Sequence, residues 1–125
     1  MNRIFIYLTG LIVIIFILTG CGEASAELKK DTKNIADVMC KNIEAMNKLR
    51  AANQNDSLQL AKLQMEAKQV QIEMTILYQE FKDKYKKKIT DEKFKKSFAK
   101  ELRQAMIDCP YLSAKDREQF EKETE

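Results

Sequence analysis

The side chains of this 125-residue chain that could do chemistry are few. Cysteines stand at 21, 40 and 109, glutamates repeat every seven residues at 66, 73 and 80, and lysines crowd the stretch 82–100. Thiols offer a disulfide, covalent modification or metal ligation. Carboxylates offer general acid–base work if a cleft brings two of them together. The chain has 0 His, which excludes imidazole-based nucleophilic catalysis, imidazole metal ligation and a histidine pH switch. Gly10, Gly20 and Gly22 are its only glycines, so the remainder carries no glycine-rich phosphate loop. Glu66, Glu73 and Glu80 share one flank of a helix, where isolated glutamates serve as ion-pair partners, and a domain this small rarely builds a cleft. No enzyme is expected, and no catalytic residue, metal or cofactor. Cysteines without CxxC spacing or a neighbouring histidine do not read as a redox or metal pair.

The first cysteine belongs to an address. Asn2 and Arg3 make a short polar start with one positive charge, and Ile4 to Leu18 is almost unbroken apolar sequence. At about 1.5 Å per residue that run falls short of a roughly 30 Å hydrocarbon core, which suits a signal-peptide core better than a permanent span. It ends in Leu18-Thr19-Gly20-Cys21. This tetrad resembles the lipobox of bacterial lipoproteins, with Gly20 a good match and Thr19 a mild departure. The resemblance covers about 20 residues and implies class and location only. It implies that 1–20 is a signal peptide and that Cys21 becomes the mature N-terminus, carrying a diacylglycerol and an acyl chain such as palmitate. It also implies a cell-envelope location outside the cytoplasm. Gly22 in place of Asp leans towards the periplasmic face of the outer membrane in a Gram-negative cell. No cofactor is expected beyond those lipids.

Residues 21–30 are expected to be the lipidated start and a polar tether, and 31–125 a helical domain. From Cys21 onward 21 Lys+Arg face 19 Asp+Glu, Arg3 being the one base removed, so no overall preference for a polyanion follows. One proline, Pro110, and no glycine in the domain point to an all-α fold. Helix one is expected over about 32–53, capped by Asp31 or Thr32, with Ile35, Val38, Met39, Cys40, Ile43, Met46 and Leu49 as its apolar stripe. Helix two is expected over about 57–88, capped by Asp56 or Ser57. Its residues Leu60, Leu63, Ala67, Val70, Met74, Leu77 and Phe81 form a heptad seam. Helix three follows over about 91–109, capped by Thr90 or Asp91 and stopped by Pro110, and a short last helix begins near Ser113. The expected architecture is a small up-down three-helix bundle, or a long helical hairpin, with a short C-terminal helix.

With Cys21 assigned to lipid, Cys40 and Cys109 remain, an even number in an oxidising compartment. In an up-down-up arrangement Cys109 lies about 27 Å above the lower turn, and Cys40 lies about 47 less 20 Å above it, at 1.5 Å per residue. The two heights agree, which predicts a Cys40–Cys109 disulfide closing the bundle. Such a loop of about 70 residues is worth roughly 4 kcal/mol in chain-entropy accounting.

Two surfaces could recognise something. Leu58, Met65, Ile72 and Ile76 form a second apolar stripe on helix two, roughly 170° from the seam. If the disulfide holds helices one and three together on one side, this stripe is left outside as a partner or self-association surface. Two alternatives stand beside that expectation: the segment carrying Tyr111, Leu112 and Phe120 folds over the stripe, or the helices fan open around helix two. Lys84, Lys86, Lys87, Lys88, Lys93, Lys95 and Lys96 form a basic patch around the second turn. An ordinary solvated face is the plainer account of it; attraction to an anionic surface is the functional one. Nucleic acid is not an expected partner, because the compartment is wrong and no aromatic stacking pattern is present. The expected role is a non-catalytic, lipid-anchored protein contact or accessory module of assembly, exclusion or immunity type. A small-ligand or anionic-surface binding module is the alternative.

Overall fold

The computed structural model describes residues 25–124. The expected signal peptide, the lipobox-like tetrad and Cys21 lie outside them. The described chain is helical, with α1 over Ala26–Ala51, α2 over Ser57–Lys84, α3 over Glu92–Ile107 and α4 over Ala114–Thr124.

Each helix starts where a side chain can satisfy free backbone N–H groups. Ser25 Oγ accepts from the Leu28 amide at 3.1 Å, and Asp56 Oδ1 from the Gln59 amide at 3.0 Å. Asp91 Oδ1 accepts from the Lys93 and Phe94 amides at 2.7 and 3.2 Å. Ser113 Oγ accepts from the Asp116 amide at 3.1 Å, and its hydroxyl donates to the Asp116 carboxylate at 2.6 Å, which holds the cap in place.

α1 begins at Ala26, within the expected tether, and not at Thr32. The cause is burial. Leu28 is 4% exposed and Thr32 0%, so the first two turns of α1 belong to the core. Thr32 can be buried because its Oγ1 donates to the Leu28 carbonyl at 2.6 Å within the helix. Residues 26–30 therefore extend the helical domain, and Thr32 is a core residue instead of a cap. α2 stops at Lys84, four residues short of the expected end. Beyond it, Lys88 N donates to the Tyr85 carbonyl at 2.8 Å and Asp91 N to the Lys88 carbonyl at 2.9 Å, a tight turn in place of a further helical turn.

α1 is the central rod, packed by α2 on one side and by α3 on another, while α4 packs on α3. The α2 and α3 backbones do not approach each other among the described residues, and the two helices meet through side chains near their shared turn, aromatic rings foremost. There Phe81 lies 4.7 Å from Phe98, 6.3 Å from Phe94 and 4.6 Å from Tyr85 between ring centroids. Leu28, Ile35, Phe81 and Tyr85 form this lower core, with Met39, Leu77 and Leu102 against it. An upper core gathers Ala36, Met106 and Cys109, with Leu112 and Phe120 packed onto it. Within this upper core the Cys40–Cys109 disulfide ties α1 to the end of α3, its Cα atoms 5.7 Å apart. The chain is an all-α bundle closed by that disulfide, as expected.

Candidate functional site

The outer face of α2 follows from the central position of α1. A helix touched on one side keeps its opposite side in solvent. Seam residues Ala67 and Phe81 are buried, while Leu60, Leu63, Val70, Met74 and Leu77 are half-buried against α1. On the other side Leu58, Met65, Ile72 and Ile76 are 75, 72, 46 and 54% exposed. The C-terminal segment does not cover them. α4 lies on α3, Arg103 pairing with Glu123 at 2.9 Å and Arg117 Nη2 donating to the Cys109 carbonyl at 2.8 Å. Fanning around α2 does not occur either, because α1 occupies the middle. The four apolar residues thus run along one open face of a helix about 42 Å long.

The heptad glutamates gather no catalytic pair. Glu73 Oε1 sits 3.4 Å from Lys41 Nζ, an ion pair joining α1 and α2, and seven-residue steps hold neighbouring glutamates about 10 Å apart along the helix. No group of three or more Cys, Asp or Glu side chains among the described residues could hold a metal. A groove of about 180 Å³ between α1 and α2 is bordered by Asp31, Ile35, Leu77 and Lys84; a second of about 310 Å³ is bordered by Lys41, Glu44 and Val70. Both lie at or below the low end of small-molecule sites, about 300 to 1,000 Å³.

The structure divides the basic patch. Lys84 is committed to α1: its Nζ lies 2.7 Å from Glu27 Oε1 and 2.7 Å from Asp31 Oδ2, clamping the end of α2 to the start of α1. Tyr85 Oη donates to the same Asp31 oxygen at 2.8 Å. Lys95 pairs with Glu92 at 2.8 Å. Lys86, Lys87, Lys88, Lys93 and Lys96 are exposed and make no ion pair among the described residues. The sequence placed Lys84 with these free lysines. Its role was hidden because Glu27 and Asp31 lie more than fifty residues upstream, and Asp31 read as a cap.

The Asp31–Lys84–Tyr85 cluster has a pH signature. Partial burial pushes the Asp31 carboxyl up, but hydrogen bonds from Lys84 and Tyr85, with the Lys84 and Lys30 charges, outweigh it and hold the carboxyl below its usual 3.8. Hydrogen bonds to Asp31 and Glu27 hold the Lys84 ammonium above its usual 10.5. Burial, then the bond to Asp31, pushes the Tyr85 phenol up to about 12. A lowered acid stabilises the fold above its ordinary value and loses that contribution as pH falls towards its folded value. A raised ammonium or phenol stabilises the fold fully below its ordinary value and loses that contribution as pH rises through the shifted one. Urea denaturation should therefore show a stability plateau between about pH 5 and 9, falling on both sides. Asp31→Asn should lower the plateau by about 1 kcal/mol and flatten both limbs; a profile of unchanged shape would refute the cluster's role.

No helix among the described residues is long and apolar enough to cross a membrane. No family model matches the chain, and no curated protein and no solved structure shows significant similarity to it.

Proposed function

We propose that the chain is a lipid-anchored, extracytoplasmic lipoprotein that works by contact. In this role Cys21 carries the lipid, the disulfide-closed bundle is the rigid body, and the outer face of α2 meets a protein partner at the cell envelope. Support for the anchor is the Leu18-Thr19-Gly20-Cys21 lipobox behind its apolar run. Support for the contact is one observation: Leu58, Met65, Ile72 and Ile76 are 46 to 75% exposed on one helix face. Isolated apolar side chains on a surface are ordinary, but four aligned on one helix face, spaced two turns apart and closing to one turn at Ile72 and Ile76, make a row of apolar anchors of the kind used in helix recognition.

A photo-crosslinking residue at position 65 or 72 in intact cells tests the contact. The expected result is an adduct of one defined mass from both positions and none from a control at Lys115 on α4. An adduct of twice the chain's own mass identifies self-association; any other defined mass identifies a distinct protein. Ile76→Lys should reduce capture at least about tenfold, with thermal stability unchanged to within about 0.5 kcal/mol. Reaction with solvent alone at both positions overturns the contact.

A further inference from the structure

We propose that the lysine-rich end of the bundle seats on anionic phospholipid headgroups of the membrane that holds the lipid anchor, so that the bundle stands upright on it. The inference rests on Cys21 as the anchor site and adds to it a second, electrostatic attachment. What carries it is a juxtaposition absent from the linear sequence. The start of α1 and the α2–α3 turn occupy the same end of the molecule, because Lys84 bridges Glu27 and Asp31 and because Leu28 packs with Phe81 and Tyr85. Cys21 precedes Ser25 by four residues, a reach of at most about 14 Å. An anchor at Cys21 therefore holds this end, and no other, within that distance of the bilayer.

The charge at this end suits the surface it would meet. Residues 82–96 carry eight lysines against three acids. Those acids are already engaged: Asp83 accepts from Gln79, Asp91 caps α3 and Glu92 pairs with Lys95. Lys86, Lys87, Lys88, Lys93 and Lys96 are left exposed and unpaired among the described residues. From Cys21 onward the whole chain has a surplus of only two bases, so the rest of the molecule is net acidic and the charge is polarised towards the anchored end. Lysine clusters beside a membrane attachment point gain favourable energy from anionic lipid, and the effect fades within a Debye length, about 8 Å at physiological salt. Upright seating would raise the α2 stripe along the membrane normal, from about 15 Å above Lys86 at Ile76 to about 42 Å at Leu58.

The test uses the full lipid-modified protein in vesicles of phosphatidylcholine alone or with about 30% phosphatidylglycerol. Acetylation of individual lysines by a water-soluble reagent is read by mass spectrometry. The expected result is acetylation of Lys86, Lys87 and Lys88 about fivefold slower on the anionic vesicles, reversed by about 0.5 M salt, with Lys115 and Lys122 unchanged. Replacing Lys86, Lys87 and Lys88 together by Gln should return Lys93 and Lys96 to their rates on neutral vesicles. Equal rates on both compositions overturn the proposal, as does equal protection of Lys115 and Lys122, which would mean that the bundle lies flat. Flotation with neutral vesicles reports separately on the Cys21 anchor. Protein that floats only with anionic vesicles would remove the anchor while upholding the basic face, whereas protein that floats with neutral vesicles but shows no selective protection would do the reverse.

Discussion

Replacing Cys40 and Cys109 together by Ala should lower the unfolding free energy by about 3–4 kcal/mol and the melting temperature by about 15 °C or more. The bond joins residues 69 apart in sequence, so its loss frees most of the domain's unfolded chain from a closed loop. The α1–α3 contact gathers Ala36, Leu102 and Met106 around the bond, and α3 reaches α2 through Phe94 and Phe98 with no close backbone approach. Either single replacement should cost about as much as both, because opening the loop needs only one missing sulfur. Reduction of the native protein should reproduce the same loss. Guanidinium denaturation with and without reductant measures it, and a difference below about 1 kcal/mol would show that tertiary packing alone closes the bundle.

Phe81→Ala should cost about 3–4 kcal/mol, the usual loss for a large aromatic cut from a core. Phe81 is 5% exposed and touches Tyr85, Phe94 and Phe98, so it links the ends of α2 and α3 where no backbone contact does so. Its removal should also loosen the clamp beneath it, since Tyr85 would lose a ring partner while still bonded to Asp31. Leu77→Ala, one turn away on the same seam but only half-buried, should cost about 2 kcal/mol. Denaturant midpoints rank the pair. Equal losses would mean that the seam, and not the aromatic junction, attaches α2.

Much of the architecture was legible locally. Asp56 and Asp91 are caps in the sequence and in the structure, and Pro110 lies just past the end of α3. The α2 seam faces α1 at the expected spacing. The two cysteines, placed at one height by counting residues at the rise of an α-helix, lie 5.7 Å apart at Cα. These succeed because each depends on spacing within one helix or on the lengths of straight rods. The start of α1 was less legible. Glu27 to Lys30 is polar enough to resemble a tether, and only the partners supplied by distant residues turn Leu28 and Thr32 into core. Lys84 was misplaced for the same reason: it is one of five lysines among residues 82 to 88, and nothing local singles out the one that reaches across to α1.

By itself the sequence was enough to specify helices, their caps, an even pair of cysteines and two unspent surface features, because these follow from periodicity, backbone capping and composition. It did not specify which rod is central. That choice belongs to the tertiary structure, where α1 alone has apolar groups facing both α2 and α3, and it decides that the α2 stripe stays uncovered and that the free lysines share an end with the start of α1. Side-chain burial and long-range ion pairs depend on three-dimensional neighbours, and those neighbours have no fixed spacing along the chain.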